Sequence, residues 1–223
     1  MSKGLFFSAI SKFLLGVFLV GTLVFLPAGT LWFFGGWLLM AILFIPMFCA
    51  GLVMMAKNPE LLKKRLNAKE TEAEQTLVVK LSGLMFILGF VLAGLDFRFS
   101  WLPLPTWVNL AASLLFLIAY ILYAEVLREN TYLSRTIEVQ QGQKVIDCGL
   151  YGIVRHPMYS ATLLLFMSMP LVLGSAISFV IFLAYPMIIA KRIRNEELVL
   201  EEGLEGYKDY KKKVQYRLIP YIW

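Results

Sequence analysis

The chain has 223 residues, 59% of them hydrophobic and only 16% charged, with a formal net charge of +6 and a mean hydropathy of +0.72. Several apolar runs of about 20 residues match a hydrocarbon core of roughly 30 Å, which excludes an ordinary water-soluble domain and points to one integral membrane domain. The excess of Lys and Arg lies just outside these runs, so the positive charge reads as membrane topology and not as a nucleic-acid surface.

Taken in chain order, the N-terminal stretch carries Lys3 and Lys12 and is apolar from Phe13 to Leu26. No small-residue cleavage site follows it, so it is read as a first transmembrane helix and not as a signal peptide. Four segments, roughly 5–26, 31–56, 77–97 and 107–127, are long enough to span, and each must be helical because lipid offers no partner to an open backbone. The connections LPAGTLW and FRFSWLPLP hold one basic residue, Arg98, whereas Lys57 to Lys69 holds five. This asymmetry assigns the even-numbered helix ends, and with them both chain termini, to the cytosol. In the cytosolic interfacial segment 57–76, Asn58, Pro59 and Glu60 suit an N-cap, a first helical residue and a first-turn acid. Leu61, Leu62 and Leu66 then share one face of a short helix lying on the membrane surface.

Beyond the fourth span, Met158–Leu173 and Ile177–Ala190 are apolar but only 16 and 14 residues long, with Gly174-Ser175 between them. As helices they reach about 21–24 Å, too short for comfortable spans. Read as one helix, they would carry Lys191, Arg192, Arg194 and Lys211-Lys212-Lys213 to the outside, against the charge rule. A short helical hairpin over 158–190 is predicted instead, which keeps 20 of the 21 Lys and Arg residues on the cytosolic side. The expected fold is therefore an all-α integral membrane protein with four spanning helices, a short C-terminal hairpin and a cytosolic C-terminal segment. It divides into an N-terminal transmembrane region, 1–134, and a C-terminal ligand-binding region, 135–223.

The hairpin brings together two stretches with chemical content. At its first foot, GLYGIVRHPMYS (149–160) contains the chain's single histidine. Pro157 presets its own φ and pushes His156 into an extended conformation, so a helix is expected to start there. A helix start favours anions, and Arg155 adds a fixed positive charge. Gly149 and Gly152 allow close backbone approach, while Tyr151 and Tyr159 offer flat faces with polar tips. At the second foot, Arg192 and Glu196 are four apart and share a helix face, with Glu197 one step round. Glu196 suits an ammonium or a ribose hydroxyl, and Arg192 suits an acidic group. Local pattern alone also permits plainer readings: RHP as topological charge plus helix start, Arg192/Glu196 as a surface ion pair worth about 0.3–0.5 kcal/mol, and Glu197 as a solvated helix residue. Cys49 and Cys148 are read as free thiols.

The order G-L-Y-G-I-V-R-H-P-M-Y, a hydrophobic hairpin, R-I-R-N-E-E-L, G-Y-K-D-Y-K-K-K-V and L-I-P resembles the isoprenylcysteine carboxyl methyltransferase family over about residues 135–220. The phospholipid N-methyltransferases share the broader pattern. The resemblance implies an integral membrane methyltransferase that binds S-adenosyl-L-methionine in a pocket closed by the hairpin and the C-terminal segment. Carried over by motif, cofactor contacts are expected at Tyr151, His156, Pro157, Tyr159 and Glu196, and at Gln143, Lys144, Val145 and Ile146. The Gln143-Lys144 pair departs from the His- or Thr-containing run usual in the family. A further upstream contact falls near Thr136 to Gln140. Arg192 corresponds to the residue that orients the substrate carboxylate.

Methyl transfer to an ionised carboxylate needs no metal and no general base, only orientation and exclusion of water. An amine acceptor would need a base, for which Glu197 is the nearest candidate. The apolar hairpin suggests a lipid or prenylated small-molecule acceptor entering from the bilayer. The compact chain looks like the smaller prokaryotic members of the family, placing it in a plasma membrane. Two other classes remain open: an NADPH-dependent sterol or steroid reductase, and a non-catalytic protein that holds anionic lipid through its basic tail. In every case Tyr207, Tyr210, Tyr216, Tyr221, Trp223 and the lysine cluster suit attachment to membrane lipids at the interface. Oligomeric state stays open, with Gly16, Gly21, Gly35 and Gly36 available for helix packing between or within chains.

Overall fold

With no water to satisfy their backbone, the apolar runs close their hydrogen bonds internally, and helices account for the elements of the fold. The computed structural model describes residues 3–66, 73–133, 137 and 139–223. Among them are nine α-helices: α1 (Lys3–Ala28), α2 (Phe34–Lys57), α3 (Pro59–Leu66), α4 (Ala73–Phe99), α5 (Thr106–Glu129), α6 (Pro157–Val172), α7 (Ala176–Phe182), α8 (Tyr185–Gly203) and α9 (Tyr207–Lys213). A single 3₁₀ turn, Gly149–Gly152, precedes α6. The described residues form no strand, only an isolated bridge between Pro103 and Ser175.

The all-helical expectation agrees with this architecture. Five stretches are long and apolar enough to cross a membrane: Gly4–Ala28, Phe34–Lys57, Thr76–Phe99, Thr106–Glu129 and Ala176–Gly203. The first four overlap the four expected spans. The fifth is broken between Phe182 and Tyr185 into α7 and α8, and the apolar α6 before it has only 16 residues. Large side chains such as Phe18, Leu26 and Ile121 stand 69%, 74% and 69% exposed on these helices, as lipid-facing side chains do.

Inside, Val24, Leu39, Ala93, Phe116, Ala119, Val172 and Phe182 are fully enclosed. In lipid such a core is held by close packing rather than by expulsion of water, so small residues matter where helices touch. At Gly35 an added Cβ would lie 2.9 Å from the Val172 carbonyl oxygen and 3.0 Å from that of Leu173, so α2 meets the end of α6 only because no side chain intervenes. Gly35 thus packs within the monomer.

The hairpin is present and reaches the far end of the bundle. Gly174, with φ +76°, turns the chain after α6, a conformation costly for residues with a Cβ. Ser175 then caps α7 by accepting from the Ser178 amide at 3.1 Å. This apex is tied to the α4–α5 connection: the Leu104 amide donates to the Gly174 carbonyl at 2.8 Å, and Asn109 Nδ2 to the Val172 carbonyl at 2.9 Å. Asp96, 1% exposed, accepts from the Leu102 amide at 2.7 Å and from the Ser175 hydroxyl. These bonds place the apex beside the last turn of α4, which holds Arg98, so the dip is as deep as the bundle itself.

The feet of the hairpin return to the end where α3 sits. Asn58 caps α3 as expected, its side-chain oxygen accepting from the Leu61 amide at 3.1 Å, and Leu61 and Leu62 are buried. Of the basic residues in this segment, Lys69 lies outside the described residues. After α9 the chain runs back across the start of α6. Tyr216 and Arg217 carbonyls accept from the Arg155 and His156 amides, each at 2.9 Å, and the Leu218 carbonyl accepts from the Ser160 hydroxyl at 2.6 Å. Leu218 is buried in the main core, and the Arg217 guanidinium lies 5.2 Å from the Trp223 ring centroid.

Candidate functional site

Pro157 occupies the first position of α6, and His156, at φ −126° and ψ 61°, is the non-helical residue before it. This is the start that a proline imposes on its predecessor. One turn on, Tyr159 points toward α8, which returns from the apex with Arg192 on one turn and the adjacent Glu196 and Glu197 on the next. The Tyr159 hydroxyl donates to Glu196 Oε2 and accepts from Arg192 Nε at 2.9 Å. The pair expected to share a helix face is therefore joined through a tyrosine from the other foot.

His156 is 5% exposed and stacks on the Tyr159 ring at 5.7 Å. Its imidazole lies between the two acids, with Nδ1 3.9 Å from Glu196 and Nε2 3.4 Å from Glu197. Glu197 overturns the expectation of a solvated residue, because it is 2% exposed. Arg155 Nε donates to it at 2.7 Å, Arg217 donates at 2.9 and 3.0 Å, and Lys211 approaches to 3.7 Å. Arg155 spends its remaining reach on the Val214 and Gln215 carbonyls, both at 2.7 Å. The charge expected to attract an anion at the helix start instead binds Glu197 and the C-terminal strap.

Above this charged layer lies a cleft open to solvent on one side. Tyr151, His156, Tyr159, Arg192 and Glu196 line it, and so do Gln143, Lys144, Val145 and Ile146 from the extended segment before the 3₁₀ turn. Pro157 is buried and does not line it; it acts through the helix start. Of the upstream stretch, Ile137 lines the cleft, whereas Thr136 lies outside the described residues. Gln140 instead accepts from Lys64 of α3 at 2.6 Å and receives Gln143 as an acceptor for its own amide at 2.9 Å.

The remaining wall was not foreseen. Asn130 donates to the Tyr151 hydroxyl at 2.9 Å, and Tyr210 donates to the Tyr151 carbonyl at 2.8 Å. Glu129 accepts from the Leu150 amide at 3.0 and 3.1 Å, directly beside Gly149, whose φ of +59° leaves its α-carbon facing that carboxylate. Tyr207, Leu200 and Leu204 complete the enclosure. Burial holds the Tyr151, Tyr207 and Tyr210 phenols well above their ordinary value, reinforced at Tyr207 by Glu197 and Glu196, so all three present neutral hydroxyls. The only signal for Tyr207 and Tyr210 was their spacing of three on a short helix next to the lysine cluster, which interfacial attachment explained equally well.

The cleft thus combines one acid, Glu196, with two arginines, Lys144, His156 and five tyrosines over aliphatic floor residues. That donor set fits a small ligand with an aromatic portion, hydroxyls and an ammonium, and holds no ordinary catalytic triad.

The curated proteins that align with part of this chain include two sterol reductases. A Delta(14)-sterol reductase of Mus musculus is 30% identical over 91 residues, and a Delta(14)-sterol reductase of Methylotuvimicrobium alcaliphilum is 28% identical over 93 residues. Each alignment takes in 40% of this chain and 22% of the relative, so the chain spans about a fifth of the length of the curated relatives it matches. Residues 109–202, which run from α5 through the hairpin to the end of α8 and contain both feet of the cleft, match the model of the isoprenylcysteine carboxyl methyltransferase family. Over that stretch the chain is similar to the isoprenylcysteine carboxyl methyltransferase family, and its long apolar helices are those of an integral membrane protein.

Proposed function

We propose that the protein is an S-adenosyl-L-methionine-dependent membrane methyltransferase, acting on the carboxylate of a lipid-like acceptor. The observation that carries this reading is the Arg192–Tyr159–Glu196 linkage at the mouth of a cleft lined by the family-matched segment. Glu196, whose second oxygen lies 3.9 Å from His156 Nδ1, would receive an ammonium or ribose hydroxyl, and Tyr151, His156 and Tyr159 flank the space for a nucleobase. Gln143, Lys144, Val145 and Ile146 supply an extended backbone edge along the same ligand, and Pro157 holds the helix start that orients His156.

The donor supplies a methyl on a positively charged sulfur; a carboxylate oxygen takes that methyl as the carbon–sulfur bond breaks, leaving an ester and a neutral thioether. The chain's own work is to orient and to keep water out. Arg192 holds the acceptor carboxylate through its fork of N–H donors, and Tyr159 fixes the Arg192 side chain by accepting from Nε. Nothing in this displacement calls for a proton to be moved. Glu197, the base that an amine acceptor would use, is enclosed by three cations, which favours the carboxylate over a phospholipid amine as acceptor.

In this reading the first four apolar helices span, the hairpin α6–α7–α8 returns to the side it left, and the cleft opens at the cytosolic face of a plasma membrane. Residues 1–134 then form the membrane scaffold and 135–223 the cofactor-binding region. The positive charge near α3, α8 and α9 supports that orientation.

The sterol reductase relatives give a second reading, reduction with NADPH in the same cleft. Calorimetric titration of the detergent-purified protein with S-adenosyl-L-methionine and, separately, with NADPH distinguishes the two. Saturable binding of the methyl donor, weakened by Glu196→Gln, is expected. Binding of NADPH alone would replace the methyltransferase reading with the reductase one.

A further inference from the structure

Tyr207 and Tyr210 are one turn apart on α9, both buried, with ring centroids 5.7 Å apart. Their hydroxyls fare differently. Tyr210 donates to the Tyr151 carbonyl at 2.8 Å, whereas the Tyr207 hydroxyl is the buried side-chain polar atom that has no hydrogen-bond partner among the described residues. Tyr207 is 4% exposed and lines the cleft.

A buried phenol left without a partner is a net cost to the fold, and such groups are rare enough in proteins to need an account. Removing the hydroxyl would remove the cost, and phenylalanine would fill the same space. The position is not slack either: the Tyr207 amide donates to the Leu204 carbonyl at 3.2 Å, and Gly206, at φ +81°, sets the entry to α9. The ring is thus held rigidly in the wall of the cleft, with its hydroxyl buried near Glu196 and Glu197. Burial, reinforced by those carboxylates, keeps its proton on, so it stays a neutral group able both to donate and to accept.

We propose that Tyr207 is a ligand-positioning residue whose hydroxyl makes its hydrogen bond to bound S-adenosyl-L-methionine, accepting from an ammonium or ribose hydroxyl on the side of the ligand that faces α9. This rests on the methyl-donor reading of the cleft. It adds a wall to the site that comes from beyond the family-matched residues 109–202. The contact is one of affinity, not of chemistry, because the hydroxyl does not touch the reacting carbon.

The test uses the full chain in detergent, as wild type, Tyr207→Phe and Tyr210→Phe, with two readouts: thermal unfolding without ligand, and calorimetric dissociation constants for S-adenosyl-L-methionine. Tyr207→Phe is expected to unfold at the wild-type temperature or above it and to bind the methyl donor about three- to tenfold more weakly, the loss of one ordinary hydrogen bond. Tyr210→Phe, which loses a bond within the protein, is expected to unfold at a lower temperature. An unchanged dissociation constant for Tyr207→Phe overturns the Tyr207 role and leaves the methyl-donor reading standing. A lowered unfolding temperature for ligand-free Tyr207→Phe also overturns it, by assigning the hydroxyl to the fold. Folded wild type that binds no S-adenosyl-L-methionine sinks both proposals together.

Discussion

Glu196 and Glu197 are consecutive residues on α8 that serve different partners. Glu196 accepts from Tyr159 at the cleft, while Glu197, 2% exposed, is enclosed by Arg155, Arg217 and Lys211. A rotation of about 100° per residue is enough to separate a cleft-facing acid from one enclosed in an ion cluster. The imidazole of His156 touches on both.

The two acids should therefore fail differently. Glu197→Gln leaves Arg155 and Arg217 beside a neutral amide, and breaking one side of a buried ion pair costs about 3–5 kcal/mol. Thermal unfolding in detergent should register this as a large drop without ligand. Glu196→Gln should unfold near the wild-type temperature yet bind S-adenosyl-L-methionine at least about tenfold more weakly, as expected for a lost charge-assisted bond. Reversed phenotypes would reverse the assignment.

Arg192→Ala should leave the dissociation constant for the methyl donor nearly unchanged and lower turnover on an acidic acceptor. Arg192→Lys should recover little of that turnover, because an ammonium keeps the charge but not the fork that reaches both Tyr159 and a carboxylate. Steady-state kinetics beside calorimetry checks the division; equal losses of donor affinity in Arg192→Ala and Glu196→Gln would refute it.

Tyr159→Phe removes the hydroxyl that joins these two residues. Its effect on donor binding should not add to that of Glu196→Gln. A double-mutant cycle is expected to give a coupling of about 0.5–3 kcal/mol, the range for residues in one network. Simple additivity would mean that the Tyr159 hydroxyl and Glu196 act on the ligand independently.

At the opposite end, Gly174→Ala forces a Cβ into φ +76° and within 2.8 Å of Asn109 Nδ2. The backbone penalty alone is about 1–2 kcal/mol. Thermal stability should fall while donor affinity of the folded fraction stays at the wild-type value, because the apex and the cleft lie at opposite ends of the hairpin. A change in affinity as large as the change in stability would show that the hairpin transmits apex strain to its feet.

Much of this layout was legible in the residues. Apolar length gave the helices, Pro157 gave the start of α6, Gly174-Ser175 gave the turn, and charge asymmetry brought the two feet to one end. What stayed hidden depends on rotation and on non-local contacts. Nothing local says which of two adjacent glutamates faces inward, so Glu197 looked solvated and Arg155 looked free to meet an anion. The partners that decide the matter, Arg217 and the Val214 and Gln215 carbonyls, come from 20 residues or more away along the chain. The depth of the hairpin was hidden likewise, since it rests on Asp96 and Asn109 reaching across to its apex.

The strap from Val214 to Leu218 has a consequence for biogenesis. During synthesis, α6 and α8 can enter the membrane and pair while residues 214–218 are still inside the ribosome. At that stage the Arg155 and His156 amides lack their acceptors, Glu197 lacks Arg217, and Tyr207 and Tyr210 have not yet docked. The strap contacts are thus among the last of this region to form, after α6 and α8 have been made. A chain ending short of Val214 would keep Arg155 and Lys211 beside Glu197 but lack Arg217 and the carbonyls that hold Arg155 in place.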